Sequence, residues 1–191
     1  MPLKILLVDD HIMITDFYKT ALLYLEIKTE ITTTNTLKDA YCLIIEDIST
    51  PFDIVVLDLR MPPYLEKVIN DGEDLAKLIR TKFPKIKIII ITGYCEPVKL
   101  NNINHYIYPE GILEKCDINY DIFIEAFILI INGDTYFSET VQKTINDNSF
   151  IIYLDNTNRK IIDLLSRGVK TINIPKHLPI TLSGVNCTSS N

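Results

Sequence analysis

A tandem pair of acids at Asp9-Asp10, a third acid at Asp58, a hydroxyl at Thr92 and an ammonium at Lys115 each stand at or beside the end of an apolar run. Three carboxylates in one cleft repel one another unless a cation joins them. Ligation by carboxylate oxygens favours Mg2+, which keeps several waters and bridges to phosphate oxygens. A carboxylate beside Mg2+ can attack phosphorus and become an aspartyl phosphate. Lys115 would then supply a point charge for the phosphoryl oxygens, and Thr92 a hydroxyl donor. Taken singly, each residue is an ordinary polar group at the end of a strand. The five together point to phosphoryl chemistry, provided that the fold brings them to one place.

The elements that must do this are readable. Residues 3–9, Ile54-Val55-Val56-Leu57 and Ile86 to Ile91 are nearly continuous β-branched or aliphatic runs, the habit of strands buried on both faces of a parallel sheet. Lys28 to Thr34 and Gly111-Ile112-Leu113-Glu114 add two more strands. Between them the period becomes helical. Ile14, Phe17, Tyr18, Ala21, Leu22 and Leu25 share a face, as do Leu37, Ala40, Tyr41, Ile44 and Ile45. Leu75, Leu78, Ile79 and Phe83 follow an Asp71-Gly72 start, Glu96 to Asn104 is a short and poorly periodic helix, and Ile122 to Ile130 is closed by Asn132-Gly133. Alternating strands and helices predict an α/β fold, a flavodoxin-like doubly wound five-stranded parallel sheet. In such sheets ligands bind outside the carboxyl ends of the strands, where the five polar residues stand.

Composition bounds the rest. The chain has 191 residues, 47% of them hydrophobic and 23% charged, which is a globular profile with an aliphatic, Trp-free core. No apolar run approaches the ~20 residues of a membrane span, and Asp9-Asp10 ends the N-terminal run before a signal peptide could form. A cytoplasmic protein is expected. Cys42, Cys95, Cys116 and Cys187 have no ligand spacing and read as isolated reduced thiols. His11 reads as a surface residue at a helix start. Residues 1–150 carry 23 Asp+Glu against 14 Lys+Arg, whereas residues 151–191 carry 2 against 5. An acidic body with a basic tail suits a regulatory domain joined to a nucleic-acid module.

Lys4-Ile5-Leu6-Leu7-Val8-Asp9-Asp10-His11, Val55-Val56-Leu57-Asp58-Leu59-Arg60-Met61-Pro62, Ile90-Ile91-Thr92-Gly93 and Gly111-Ile112-Leu113-Glu114-Lys115 together resemble the receiver domain of two-component response regulators. The resemblance implies that a histidine kinase phosphorylates Asp58. It implies that Asp10, Asp58 and the Arg60 backbone carbonyl ligate Mg2+ with the help of Asp9, and that Thr92 and Lys115 read the phosphoryl group. The exit Ile130-Ile131-Asn132-Gly133-Asp134-Thr135-Tyr136-Phe137-Ser138 is similar to that of NarL/LuxR-type regulators. Leu164 to Thr171, Ile174, Leu178, Ile180-Thr181 and Ser183-Gly184-Val185 are similar to the first part of that family's helix-turn-helix. The implied organisation is a receiver over 1–133, a linker over 134–153 with a short helix near Glu139 to Ile145, and a small all-α, incomplete helix-turn-helix domain over 154–191.

Three departures qualify the match. An extra loop, Pro63 to Asn70, separates Met61-Pro62 from Asp71-Gly72. Ile112 stands where the family usually has an aromatic switch residue, with Tyr106 and Tyr108 as possible substitutes. Only about one turn of a DNA-reading helix follows Ser183, so weak, sequence-indifferent DNA binding by this chain is expected. The expected function is that of a response regulator and not an enzyme, acting as a homodimer and controlling transcription through DNA. A receiver working through protein contacts alone is the alternative. An aspartate-nucleophile phosphatase would need a second Asp two residues beyond Asp58, and Arg60 stands there.

Overall fold

In the computed structural model, which describes residues 2–47, 52–93, 96–147, 161, 164–165 and 168–177, the apolar runs become parallel strands. These are β1 (Leu3–Val8), β2 (Thr29–Thr34), β3 (Ile54–Asp58), β4 (Lys87–Thr92) and β5 (Gly111–Glu114). A two-residue strand, β6 (Tyr136–Phe137), extends the sheet to the order β2-β1-β3-β4-β5-β6. The five expected parallel strands are present, and the extra strand runs parallel to β5, with Gly111 opposite Tyr136 and Ile112 opposite Phe137.

Successive residues of a strand face opposite sides, so the continuous runs feed two cores. Leu6, Val8, Val55, Leu57, Ile88 and Ile90 pack with α2 (Leu37–Tyr41), α3 (Gly72–Lys82) and α4 (Pro97–Tyr106). Ile5, Leu7, Ile54, Val56, Ile89 and Ile91 pack with α1 (Ile12–Leu23) and α5 (Tyr120–Ile131). Gly111 is required by the second core, because a Cβ there would lie 2.7 Å from Ile130 Cδ1. In α1 the buried face is Thr15, Tyr18, Ala21 and Leu22, while Phe17, expected inside, is 38% exposed.

Local signals fix the helix ends. Thr36 accepts from Asp39 N–H at the start of α2, which runs on into a π-helical turn, Cys42–Glu46. Asp71 accepts from the N–H groups of Glu73 and Asp74, and Asn119 from that of Ile122. Pro97 opens α4, where its missing N–H has no partner to lose. Arg80 fastens α3 to the turn before β5. Its guanidinium donates to the carbonyls of Ile107, Pro84, Ile86 and Tyr108 and to Glu110 Oε2, at 2.7–3.1 Å.

The chain divides into two units, 1–146 and 147–191. The expected helix near Glu139 is present as α6 (Glu139–Asp147), and it packs on the first unit through the fully buried Val141. In the second unit, helical residues Leu164 and Leu165 are followed by Gly168 at φ +80°, whose N–H donates to the Leu165 carbonyl. That is the closure expected at Arg167-Gly168. A 3-10 helix, Thr171–Lys176, follows, and Ile161 and Ile174 are buried with Leu164 and Val169 against them. The expected third helix, from Leu182, lies outside the described residues, as do Cys95 and Cys187.

Candidate functional site: an acidic cleft at the carboxyl edge

Parallel register brings the strand ends level. Val8 pairs with Leu57, Asp58 with Ile91 and Thr92 with Glu114, so the residues that follow β1, β3, β4 and β5 share one edge. Asp9, Asp58 and Thr92 are each buried there, while the Asp10 side chain is 30% exposed.

The Lys115 ammonium joins the two buried acids. Its Nζ donates to Asp9 Oδ2 at 2.9 Å and to Asp58 Oδ2 at 2.8 Å. Burial works against the charged lysine, but the hydrogen bonds and charges of Asp58 and Asp9 outweigh it and hold the Lys115 pKa above the usual value. The other oxygens are held by the backbone. His11 N–H donates to Asp9 Oδ1 at 2.9 Å, and Arg60 N–H donates to Asp58 Oδ1 at 3.1 Å. Each carboxylate is thereby fixed in orientation.

Asp10 differs. Its Oδ1 is the one buried side-chain polar atom among the described residues without a hydrogen-bond partner. His11 Nδ1 lies 2.8 Å away, a contact that becomes an ion pair when the imidazole is protonated. His11 therefore sits at the helix start as expected, 66% exposed, and also borders the acids. Ligand atoms of Asp9, Asp10, His11 and Asp58 lie within 4.8 Å of one another. A carboxylate oxygen that accepts no hydrogen bond, beside two further carboxylates, is a hard, oxygen-rich donor set that fits Mg2+.

The floor contains residues for which sequence periodicity gives only a helical face. Tyr18, 3% exposed, stacks on Phe123 with ring centroids 4.5 Å apart. Burial first, then the charges of Asp9 and Asp58, push its phenol well above the ordinary tyrosine range. Tyr18 and Thr15 line a small cavity behind Asp9 and Asp58.

The extra loop beside the site is a clipped hairpin. Tyr64 N–H donates to the Ile69 carbonyl at 2.8 Å and Ile69 N–H to the Tyr64 carbonyl at 3.2 Å. Tyr64 packs edge-on to Tyr41, and Lys67 pairs with Glu46 over the Tyr41 ring. Tyr106 and Tyr108 are 60% and 64% exposed, whereas Ile112 is fully buried. Cys42 and Cys116 are free thiols. Cys116 donates to the Glu114 carboxylate, and that bond, with burial behind it, pushes the thiol up to about 11.

A parallel sheet in this order with an acidic cleft at its carboxyl edge is the arrangement of a receiver-type signalling domain rather than of a classical enzyme. Residues 5–107 match the family model of the response regulator receiver domain, and the chain belongs to that family. No curated protein matches the chain. Among solved structures it is similar to RcsB from Salmonella enterica serovar Typhimurium bound to promoter rprA in the presence of the phosphomimetic BeF3-. Identity there is 21% and the TM-score 0.70, over 98% of this chain and 88% of that one. A structure of two RcsB dimers bound to two parallel DNAs is 21% identical with a TM-score of 0.71, over the same shares. A LuxR-family two-component response regulator from Aurantimonas sp. SI85-9A1 is 22% identical with a TM-score of 0.64, over 78% of this chain and 99% of that one. At these identities the likeness is one of fold. Among the described residues no helix is long and apolar enough to cross a membrane.

Proposed function

We propose that this chain is a response regulator whose Asp58 takes a phosphoryl group from a histidine kinase and whose second unit passes the signal to DNA. The observation that carries the reading is Asp58 itself. It is a buried carboxylate at the end of β3, ion-paired to Lys115 and flanked by Asp9 and by an Asp10 oxygen that accepts no hydrogen bond.

Asp10, Asp58 and the Arg60 carbonyl would hold Mg2+, with Asp9 assisting. When bound, the cation screens the charge of the incoming phosphoryl group from the three acids. An Asp58 carboxylate oxygen attacks phosphorus, and the P–N bond of a phosphohistidine breaks, its electron pair leaving with the imidazole. Lys115 and Thr92 then read the new phosphoryl oxygens, as charge and hydroxyl donor.

With acetyl phosphate as donor, the P–O bond to the acyl group breaks and acetate leaves. Intact mass after acetyl phosphate and Mg2+ should reveal one added phosphoryl group on the wild type and none on Asp58→Asn. Equal labelling of the variant sinks the assignment. The DNA-binding reading is supported by the basic tail and by a likeness to RcsB that runs over 98% of the chain. RcsB binds DNA as dimers in that structure. A gel-shift titration of the full chain against promoter and scrambled duplexes tests it. Absence of binding at low salt leaves a receiver that acts through protein contacts.

A further inference from the structure

The residues on either side of Lys115 are those that hold the start of α6. Glu114 N–H donates to Ser138 Oγ at 3.0 Å, and Ser138, just before the helix, is 1% exposed. Asp117 receives two bonds from one residue. Thr140 N–H donates to its Oδ2 at 2.9 Å and Thr140 Oγ1 to its Oδ1 at 2.7 Å. Ser138 N–H donates to the Ile112 carbonyl at 3.0 Å. Lys115 thus lies between two anchors of α6, while its own Nζ is tied to Asp9 and Asp58.

The apolar side of this joint sits where the family has its aromatic switch. Ile112 is fully buried, and Val141 of α6, also fully buried, enters the cluster that holds Ile112, Leu100 and Ile103. A helix of nine residues with this one fully buried side chain has little intrinsic stability, so its start depends on the capping bonds.

We infer that α6 is a latch opened by phosphorylation. Lys115 now holds Oδ2 of both acids. A phosphoryl group on Asp58 draws the Lys115 ammonium from Asp9 toward its own oxygens, and the Lys115–Asp117 turn moves with it. Hydrogen bonds fail with small displacements, so the Glu114–Ser138 and Asp117–Thr140 bonds break and α6 loosens. Because the second unit begins at Asp147, a loosened α6 lengthens the tether between the two units. The inference rests on the reading of Asp58 as phosphoacceptor and Lys115 as its reader.

Hydrogen exchange of the full chain, read by mass spectrometry, tests it, with acetyl phosphate and Mg2+ as the probe and intact mass as the measure of occupancy. Amides of 141–146 should exchange roughly tenfold faster in the phosphorylated wild type, with α3 unchanged. Without any phosphodonor, Lys115→Ala should raise exchange in the same peptides well beyond any rise in α3, because it cuts the tie to Asp9 and Asp58. The pair Ser138→Ala and Thr140→Val should exchange fast from the outset and gain nothing on phosphorylation. Wild type that carries a phosphoryl group yet keeps a protected α6 overturns the latch, as does Lys115→Ala with wild-type exchange. Failure to label Asp58 removes the phosphoacceptor reading and the phosphate-driven opening with it, and the Lys115→Ala arm then decides only whether the Lys115 tie holds α6.

Discussion

Gly72 is seated against the backbone of Asp58: a Cβ on Gly72 would lie 2.1 Å from the Asp58 carbonyl oxygen and 2.9 Å from Leu59 Cα. Gly72 N–H also donates to the Leu59 carbonyl at 3.0 Å. The extra loop therefore leaves the sheet edge after Pro62, closes on itself between Tyr64 and Ile69, and returns the start of α3 to the strand end that carries the phosphoacceptor candidate. Gly72→Ala should force the two backbones apart. The expected outcome is a loss of roughly 1–3 kcal/mol in a denaturant titration, the range for overpacking, and slower labelling by acetyl phosphate. Unchanged stability and labelling would show that the contact relaxes freely.

Lys115→Ala should leave two buried carboxylates without their shared cation. Thermal melts should place the variant below the wild type without Mg2+, by an amount equivalent to about 1–3 kcal/mol for an ion pair that is partly exposed. Mg2+ should raise the melting temperature of the variant more than that of the wild type, since the added cation replaces the missing charge. Equal Mg2+ responses would count against a shared role for Asp9, Asp58 and Lys115.

Arg80→Ala should be the costliest substitution away from the site. It leaves four backbone carbonyls and Glu110 without their guanidinium partner. A loss of roughly 2–4 kcal/mol is expected in urea. Arg80→Lys should rescue little, because a single ammonium cannot replace the planar fork.

The Asp117 carboxyl sits partly buried, which opposes its charge, yet hydrogen bonds from Ser138 and Thr140 hold its pKa below the ordinary aspartate value of 3.8. A depressed carboxyl pKa adds stability above the unfolded value, and that stability is lost as pH falls through the folded value. Asp117→Asn should therefore be less stable than wild type by about 1 kcal/mol near neutrality, the scale of a lost cap. The gap should hold down to the ordinary aspartate value and close below it. Stability curves at several pH values check this, and a gap that widens in acid would contradict the sign.

Much of the site was legible in the sequence because parallel topology leaves little choice. Once residues 3–9, 54–57 and 86–91 are strands joined by right-handed crossovers, their carboxyl ends must share an edge. Asp9, Asp10, Asp58, Thr92 and Lys115 follow to that edge whatever the loops between them do, including an insertion as long as Pro63 to Asn70. The helix start at Asp71 was equally local, since its side chain caps the N–H groups two and three residues ahead; the caps at Thr36 and Asn119 emerged only in the structure.

Tertiary structure alone decided the rest. A strand of two residues, Tyr136–Phe137, has no periodicity to read; its strand character comes from the open edge of β5. Ser138, Thr140 and Asp117 are ordinary polar residues until that pairing brings them within hydrogen-bond distance. Tyr18 lies on a helix face that periodicity marks as inward, but only the packing of α1 and α5 on the sheet places its ring on Phe123, behind the acids. Arg80 meets its carbonyls through the meeting of α3 with the turn before β5. These are contacts between segments far apart in the chain, and spacing along a sequence carries no record of such distances until the sheet has formed.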